Sequence, residues 1–144
     1  MRIDRRRLET STFPTVIDIQ SRFSDLDVQG HINNVAAAEL LQEGRVQFNR
    51  AMRMSSIGAG LRSVVAALCI EYVEEMRDGI PVTISTGVLS IGRTSVTVGQ
   101  VAGQMGRTTL YAETVLVLTD SNGPVVIPDS LRAAYEGALI TPIA

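Results

Sequence analysis

Lysine is absent: all thirteen basic residues of this 144-residue chain are arginine. Without an amine side chain there can be no Schiff-base lysine, no phosphate-loop lysine and no Ser–Lys dyad. Tryptophan is absent too, and three Phe and three Tyr leave few platforms on which single-stranded nucleic acid can stack. One cysteine, Cys69, rules out an internal disulfide. One cysteine with one histidine, His31, argues against zinc, which takes three or four protein ligands, mostly N or S. No Gly-x-Ser-x-Gly marks a serine-hydrolase elbow, and the Gly58–Gly60 stretch is too short for a dinucleotide fingerprint. No apolar run approaches the ~20 residues that span a bilayer. The charged N-terminus has no apolar stretch behind it, so no secretory leader is expected and a cytoplasmic location is. The composition therefore predicts no metal, no nucleic-acid partner and no membrane span. It leaves carboxylate, hydroxyl and imidazole chemistry.

The length suits a single domain over 1–144, with residues 1–13 expected as a loosely held lead-in and Arg5–Arg7 as a solvated tail. Thr15–Phe23 alternates, with Ile17, Ile19 and Phe23 on one side and Asp18, Gln20 and Arg22 on the other, which predicts a half-buried strand. From Asn34 to Met52 the period becomes helical. Ala37, Leu40, Leu41, Gly44, Phe48, Ala51 and Met52 share one side, while Glu39, Glu43 and Arg50 share the other. Residues 55–60 (SSIGAG) close the helix as a loop. Four strands are expected after it, near 63–73, 81–91, 94–103 and 108–119, the first of them largely buried with Cys69 as a packing thiol. A turn at 120–123 and a short helix over 128–135 complete the chain. This order predicts an α+β fold in which one long helix packs on one face of an antiparallel sheet. Its free edges would invite pairing with a second copy.

Between the first strand and the helix lies Asp25-Leu26-Asp27-Val28-Gln29-Gly30-His31-Ile32-Asn33-Asn34. Asp, Gly and Asn favour a tight turn, and Asn33 or Asn34 is a natural helix N-cap. The segment also holds the chain's only imidazole and two carboxylates beside the start of a helix, whose unpaired amides carry partial positive charge. A carbonyl placed against those amides would have a developing oxyanion stabilised, and a nearby carboxylate can activate water or attack directly.

This segment, with the order of elements, resembles the hotdog-fold thioesterases of the 4-hydroxybenzoyl-CoA type and the related plant acyl-carrier-protein thioesterases. Their loop pattern is Asp-x-Asp-x-x-Gly-His-Val-Asn-Asn, matched here except for Ile32 in place of Val. The resemblance implies a hotdog fold, a sheet wrapped around one long central helix, and hydrolysis of an acyl thioester to a carboxylic acid and free CoA. It implies Asp27 as the reacting carboxylate, the helix-start amide near Asn34 as the polarising group and His31 as a supporting residue. Gly30 and Asn33 would line the site, and Arg93, Thr94 and Ser95 would contact CoA phosphates, often from a neighbouring subunit. The expected partners are an acyl-CoA or acyl-carrier thioester and further copies of the chain, as a dimer or tetramer, with no cofactor beyond the CoA of the substrate. Glu43 is the nearest match to a clade whose carboxylate sits on the helix. Small Ala36–Ala38, where the family often has a bulky residue, either leaves room for an acyl chain or lets the helix lie close to the sheet. A non-catalytic acyl-CoA-binding module and a hydratase or dehydratase are the alternatives on the same fold.

Overall fold

The computed structural model describes residues 2–53 and 60–143. The elements are α1 (Arg5–Glu9), β1 (Ser11–Thr12), β2 (Thr15–Ile19), a short 3-10 turn (Phe23–Asp25), α2 (Asn34–Ala51), β3 (Arg62–Tyr72), β4 (Val82–Ile91), β5 (Ser95–Gln104), β6 (Arg107–Asp120), β7 (Gly123–Pro124), α3 (Asp129–Gly137) and β8 (Thr141–Pro142). The main sheet runs β2-β4-β5-β6-β3 with every pairing antiparallel. Apart from Gly60, the loop expected at 55–60 lies outside the described residues.

Alternation along the central strands sends one side chain in two towards α2. Val82 and Ile84 of β4, Ala102 of β5 and Leu110 and Ala112 of β6 close one core cluster with Ala36, Ala37, Leu40 and Leu41 of the helix. Val88, Val96, Val98, Leu116 and Leu118 close a second with Phe48 and, from α3, Leu131 and Tyr135. The strand period of two and the helix period of 3.6 thus meet along one surface. This is the hotdog arrangement, a curled antiparallel sheet holding a helix, that the resemblance implied.

Two expectations are corrected. The lead-in is not loose: Ile3 and Leu8 are buried with Leu89, Tyr111 and Ile140 in a third cluster on the sheet's outer face. Arg5 Nε pairs with Glu71 Oε1 at 2.6 Å, Arg7 Nη2 donates to Leu89 O at 2.7 Å, and β1 pairs with β8. A Cβ on Gly99 would fall 2.8 Å from Leu8 Cδ2, so the bare glycine is what lets this segment lie flat on β5. The N-terminal arginines therefore tie α1 to the sheet. The second correction concerns β3, expected to be largely buried. It is the sheet's edge, with Val65 51% and Leu68 41% exposed, and Cys69 is only half-buried. Apolar residues on both faces had suggested burial on both sides. Among the described residues, no helix is long and apolar enough to cross a membrane.

Candidate active site

The loop from Ser21 to Asn33 is held by its first aspartate. Asp25 is buried and accepts from Arg22 N at 2.7 Å and Arg22 Nη2 at 2.9 Å, while Arg22 Nη2 also reaches Glu39 Oε2 on α2 at 3.0 Å. The Arg22 hydrogen bonds, side chain first, hold the Asp25 carboxyl below the usual aspartate range. Asp25 O in turn accepts from Asn33 N and Asn33 Nδ2, each at 2.9 Å. Asn33 completes the junction as the α2 N-cap, its Oδ1 accepting from Ala36 N at 2.8 Å. Both polar ends of the Asn33 side chain are thus committed to holding the helix start.

Asp27 closes the inner turn. Its Oδ1 accepts from Gln29 N at 2.8 Å and His31 N at 3.1 Å, and Gly30 N donates to Asp27 O at 3.1 Å. Gly30 has a φ of +78°, a left-handed conformation that a side chain would disfavour by about 1–2 kcal/mol. Asp27 Oδ2 has no hydrogen-bond partner among the described residues, and Asp27 is exposed at the mouth of a cleft of about 200 Å³. That cleft is also lined by His31, Asn34, Ala37, Tyr72 and Glu75. The loop carboxylate and the start of α2 therefore face one space.

The far wall comes from the end of β3 and the residues after it. Tyr72 Oη donates to Asn34 O at 2.9 Å, and desolvation raises the Tyr72 hydroxyl above its ordinary value. His31 Nδ1 lies 3.2 Å from Glu75 Oε2, outside hydrogen-bonding geometry. Tyr72 and Glu75 carried no local signal in the sequence, because Tyr72 reaches the site through pairing of β3 with β6, and Glu75 through the bond from Ile32 N to Met76 O at 2.9 Å, rather than through proximity along the chain. A larger depression of about 460 Å³ borders the cleft across Glu74 and Glu75, with Arg77 and Arg107 on its rim.

Arg93, Thr94 and Ser95 stand elsewhere. They form the β4–β5 turn, at the other end of a ten-residue strand that spans about 33 Å. Within one chain they do not approach Asp27. Glu43 is exposed, accepts from Gln47 Nε2 at 3.0 Å and lines a groove beside β2 rather than the cleft. Ala36 and Ala37 are buried against the core, with Ala37 also on the cleft wall.

A family model described as the thioesterase-like superfamily matches residues 21–135, from the start of this loop to the last helix. Among solved structures, a protein described as a predicted thioesterase from Bacillus stearothermophilus is 28% identical, with a TM-score of 0.80 over 88% of this chain and 97% of that one. A protein of the thioesterase superfamily from a Jannaschia species is 25% identical, with a TM-score of 0.78 over 91% and 86%. A thioesterase from Thermus thermophilus, solved with coenzyme A and Zn, shares the fold at 23% identity and a TM-score of 0.79 over 88% and 95%. No curated protein matches the chain.

Proposed function

The chain belongs to the thioesterase-like superfamily, and on that premise we propose that it hydrolyses acyl-CoA thioesters, with Asp27 as the reacting carboxylate. The observation that carries this reading is the single cleft shared by Asp27 and Asn34. The carbonyl oxygen of the thioester lies against the free amides at the start of α2, beginning with that of Asn34. There the helix dipole and an unpaired N–H stabilise the charge that develops on oxygen. Asp27 Oδ1 is occupied by two loop amides, so Oδ2 is the oxygen that takes a proton from water or attacks the carbonyl carbon. In the first route water adds directly and the thiolate of CoA leaves. In the second the carboxylate displaces the CoA thiolate to form a mixed anhydride, and water then opens it to release the acid and restore Asp27. His31, with Glu75 beside it, borders the cleft and orients the water or the leaving sulfur.

Asn33 and Gly30 serve by placing these groups, Asn33 as cap and Gly30 as the turn. Arg93, Thr94 and Ser95 are too far along the sheet to meet the same substrate from within one chain, so their phosphate contact requires a second copy. The exposed β3 edge supports a homodimer: its free backbone and apolar side chains suit pairing with another β3. Arginine on the rim of the neighbouring depression suits the CoA phosphates, because the guanidinium fork makes paired charged hydrogen bonds.

The two amides bound to Asp27 Oδ1 also favour a second reading, a non-catalytic acyl-CoA-binding module in which Asp27 only closes the turn. Asp27→Asn separates the two, since asparagine keeps the acceptor oxygen and loses the charge. Thiol release from a panel of acyl-CoAs is expected to fall at least a hundredfold in Asp27→Asn with binding retained. Unchanged turnover in that variant would overturn the assignment of Asp27. Binding without turnover by the wild-type protein would favour the module.

A further inference from the structure

Beyond Asp27 and Asn34 the cleft has two unlike sides. One is floored by Ile32, Ala37 and Met76, which are 6%, 2% and 4% exposed and belong to the core cluster under α2. The cleft is therefore blind at that floor. On the other side Glu74 and Glu75 lead into the neighbouring depression, whose rim carries Arg77 and Arg107. A thioester held at Asn34 thus meets a polar way out and an apolar one. The phosphates of CoA suit the arginines, which leaves the apolar side for the acyl group.

Tyr72 closes that apolar side. It is the last residue of β3, and its Oη donates to Asn34 O at 2.9 Å, so its ring crosses from the sheet edge to the first residue of α2. Behind it on the same face of β3 stand Ile70, Leu68 and Val65, opposite Ala112, Thr114 and Leu116 of β6. Leu68 and Val65 remain 41% and 51% exposed there, and none of the three lines the cleft. Along β3 the ring therefore separates the cleft from an apolar strip that a long chain would otherwise follow. Held by the strand at one end and by a backbone carbonyl at the other, the ring cannot swing aside without losing its hydrogen bond.

We infer that Tyr72 is the stop that limits acyl length, so that the substrates are thioesters of short acyl groups, about six carbons or fewer. The inference rests on the hydrolase reading above and deepens it. A cavity of about 150 Å³ already holds a benzene ring, and the cleft, at about 200 Å³, has room for the thioester carbonyl as well. While the chain fits, each added methylene contributes about fourfold in binding. A longer chain must displace the ring or turn back into water, and either draws the carbonyl away from the Asn34 amide and from Asp27.

The test compares butyryl-, hexanoyl-, decanoyl- and lauroyl-CoA in thiol-release assays. In the wild-type protein kcat/KM should rise to hexanoyl-CoA and fall by about tenfold or more at decanoyl-CoA. Tyr72→Ala should raise the decanoyl-to-hexanoyl ratio by about tenfold or more, whereas Tyr72→Phe, which keeps the ring, should preserve the wild-type cut-off. A loss of stability alone would lower every ester together and leave that ratio unmoved. Wild-type kcat/KM for decanoyl-CoA equal to or above that for hexanoyl-CoA would overturn the inference while leaving the hydrolase reading standing, and so would an unchanged ratio in folded Tyr72→Ala. Titration calorimetry with S-butyl-, S-hexyl- and S-decyl-CoA, thioethers that cannot be hydrolysed, reads the stop independently of turnover. Affinity should rise from butyl to hexyl and no further; a continued rise to decyl would overturn the inference even if no ester is hydrolysed. The wild-type comparisons decide the matter even if Tyr72→Ala fails to fold.

Discussion

Replacing Gly44 by alanine tests the geometry that brings α2 onto β4 and β5 beside the buried Gln100 amide. On an exposed helix face, Gly→Ala stabilises by about 1 kcal/mol, because glycine has the larger backbone entropy to lose. Here a Cβ on Gly44 would stand 2.7 Å from Ile84 Cγ2, 2.8 Å from Gln100 Nε2 and 3.4 Å from Thr86 Oγ1. The first contact is with the stiff branch of a fully buried isoleucine. The second is with an amide fixed by bonds to Leu41 O and Thr86 Oγ1, so neither neighbour yields cheaply. Overpacking of a filled core costs about 1–3 kcal/mol, and leaving the Gln100 amide without its bonds adds about 1–3 kcal/mol. The helix-propensity gain of about 1 kcal/mol offsets only part of this, so Gly44→Ala should destabilise by about 1–5 kcal/mol. Urea unfolding followed by circular dichroism, with the slope unchanged and the midpoint lowered, would report it. A midpoint raised by the equivalent of about 1 kcal/mol would refute the close packing of α2 on β4 and β5.

Other parts of the construction are open to equally direct tests. Asn33→Ala removes the α2 cap and the tie to Asp25 O; it should cost about 1–2 kcal/mol in unfolding experiments and lower thiol release by disturbing the helix start, and unchanged values of both would contradict that placement. Because the Asp25 carboxyl is held below the ordinary 3.8 by Arg22, its contribution is complete above that ordinary value and lost as pH falls through the lowered one. Stability measured from pH 6 to pH 2 should therefore fall less steeply at the acid end in Asp25→Asn than in the wild-type protein, and parallel curves would count against the Arg22 contact. Leu68→Arg places a charge on the exposed β3 face and should turn a dimer into a monomer in sedimentation experiments; a wild-type monomer, or an unaffected dimer, would remove β3 as the interface.

Much of the fold could be read along the chain because its signals are local. The change of period at Asn34, the Asn33 cap, the Asp120–Gly123 turn and the alternation of Val82, Ile84, Thr86 and Val88 each depend on neighbours a few residues away, and the elements stand within a few residues of where these signals put them. The lead-in and β3 misled for a shared reason. Leu8 is buried by Gly99 and Leu89, and Val65 is exposed because, among the described residues, no strand lies beyond β3; both outcomes depend on partners distant in sequence. An uninterrupted apolar run says only that both faces of a strand can be covered, not that the chain itself supplies the cover.

The candidate site divides in the same way. The loop half, Asp25 to Asn34, was legible because a turn, a cap and a carboxylate must be adjacent in sequence to work together. The wall formed by Tyr72 and Glu75 was not, since it is brought there by the register of β3 against β6 and by the pairing of His31 and Ile32 with the segment after β3, all contacts distant in sequence. Arg45, buried on α2 away from the cleft, escaped for a different reason. Hydrophobic periodicity treats an arginine as a vote for the solvent side, and so it placed the helix correctly while overlooking the one charge on the buried stripe. A rule built on the usual exclusion of charge from cores is least informative where a protein keeps a charge inside.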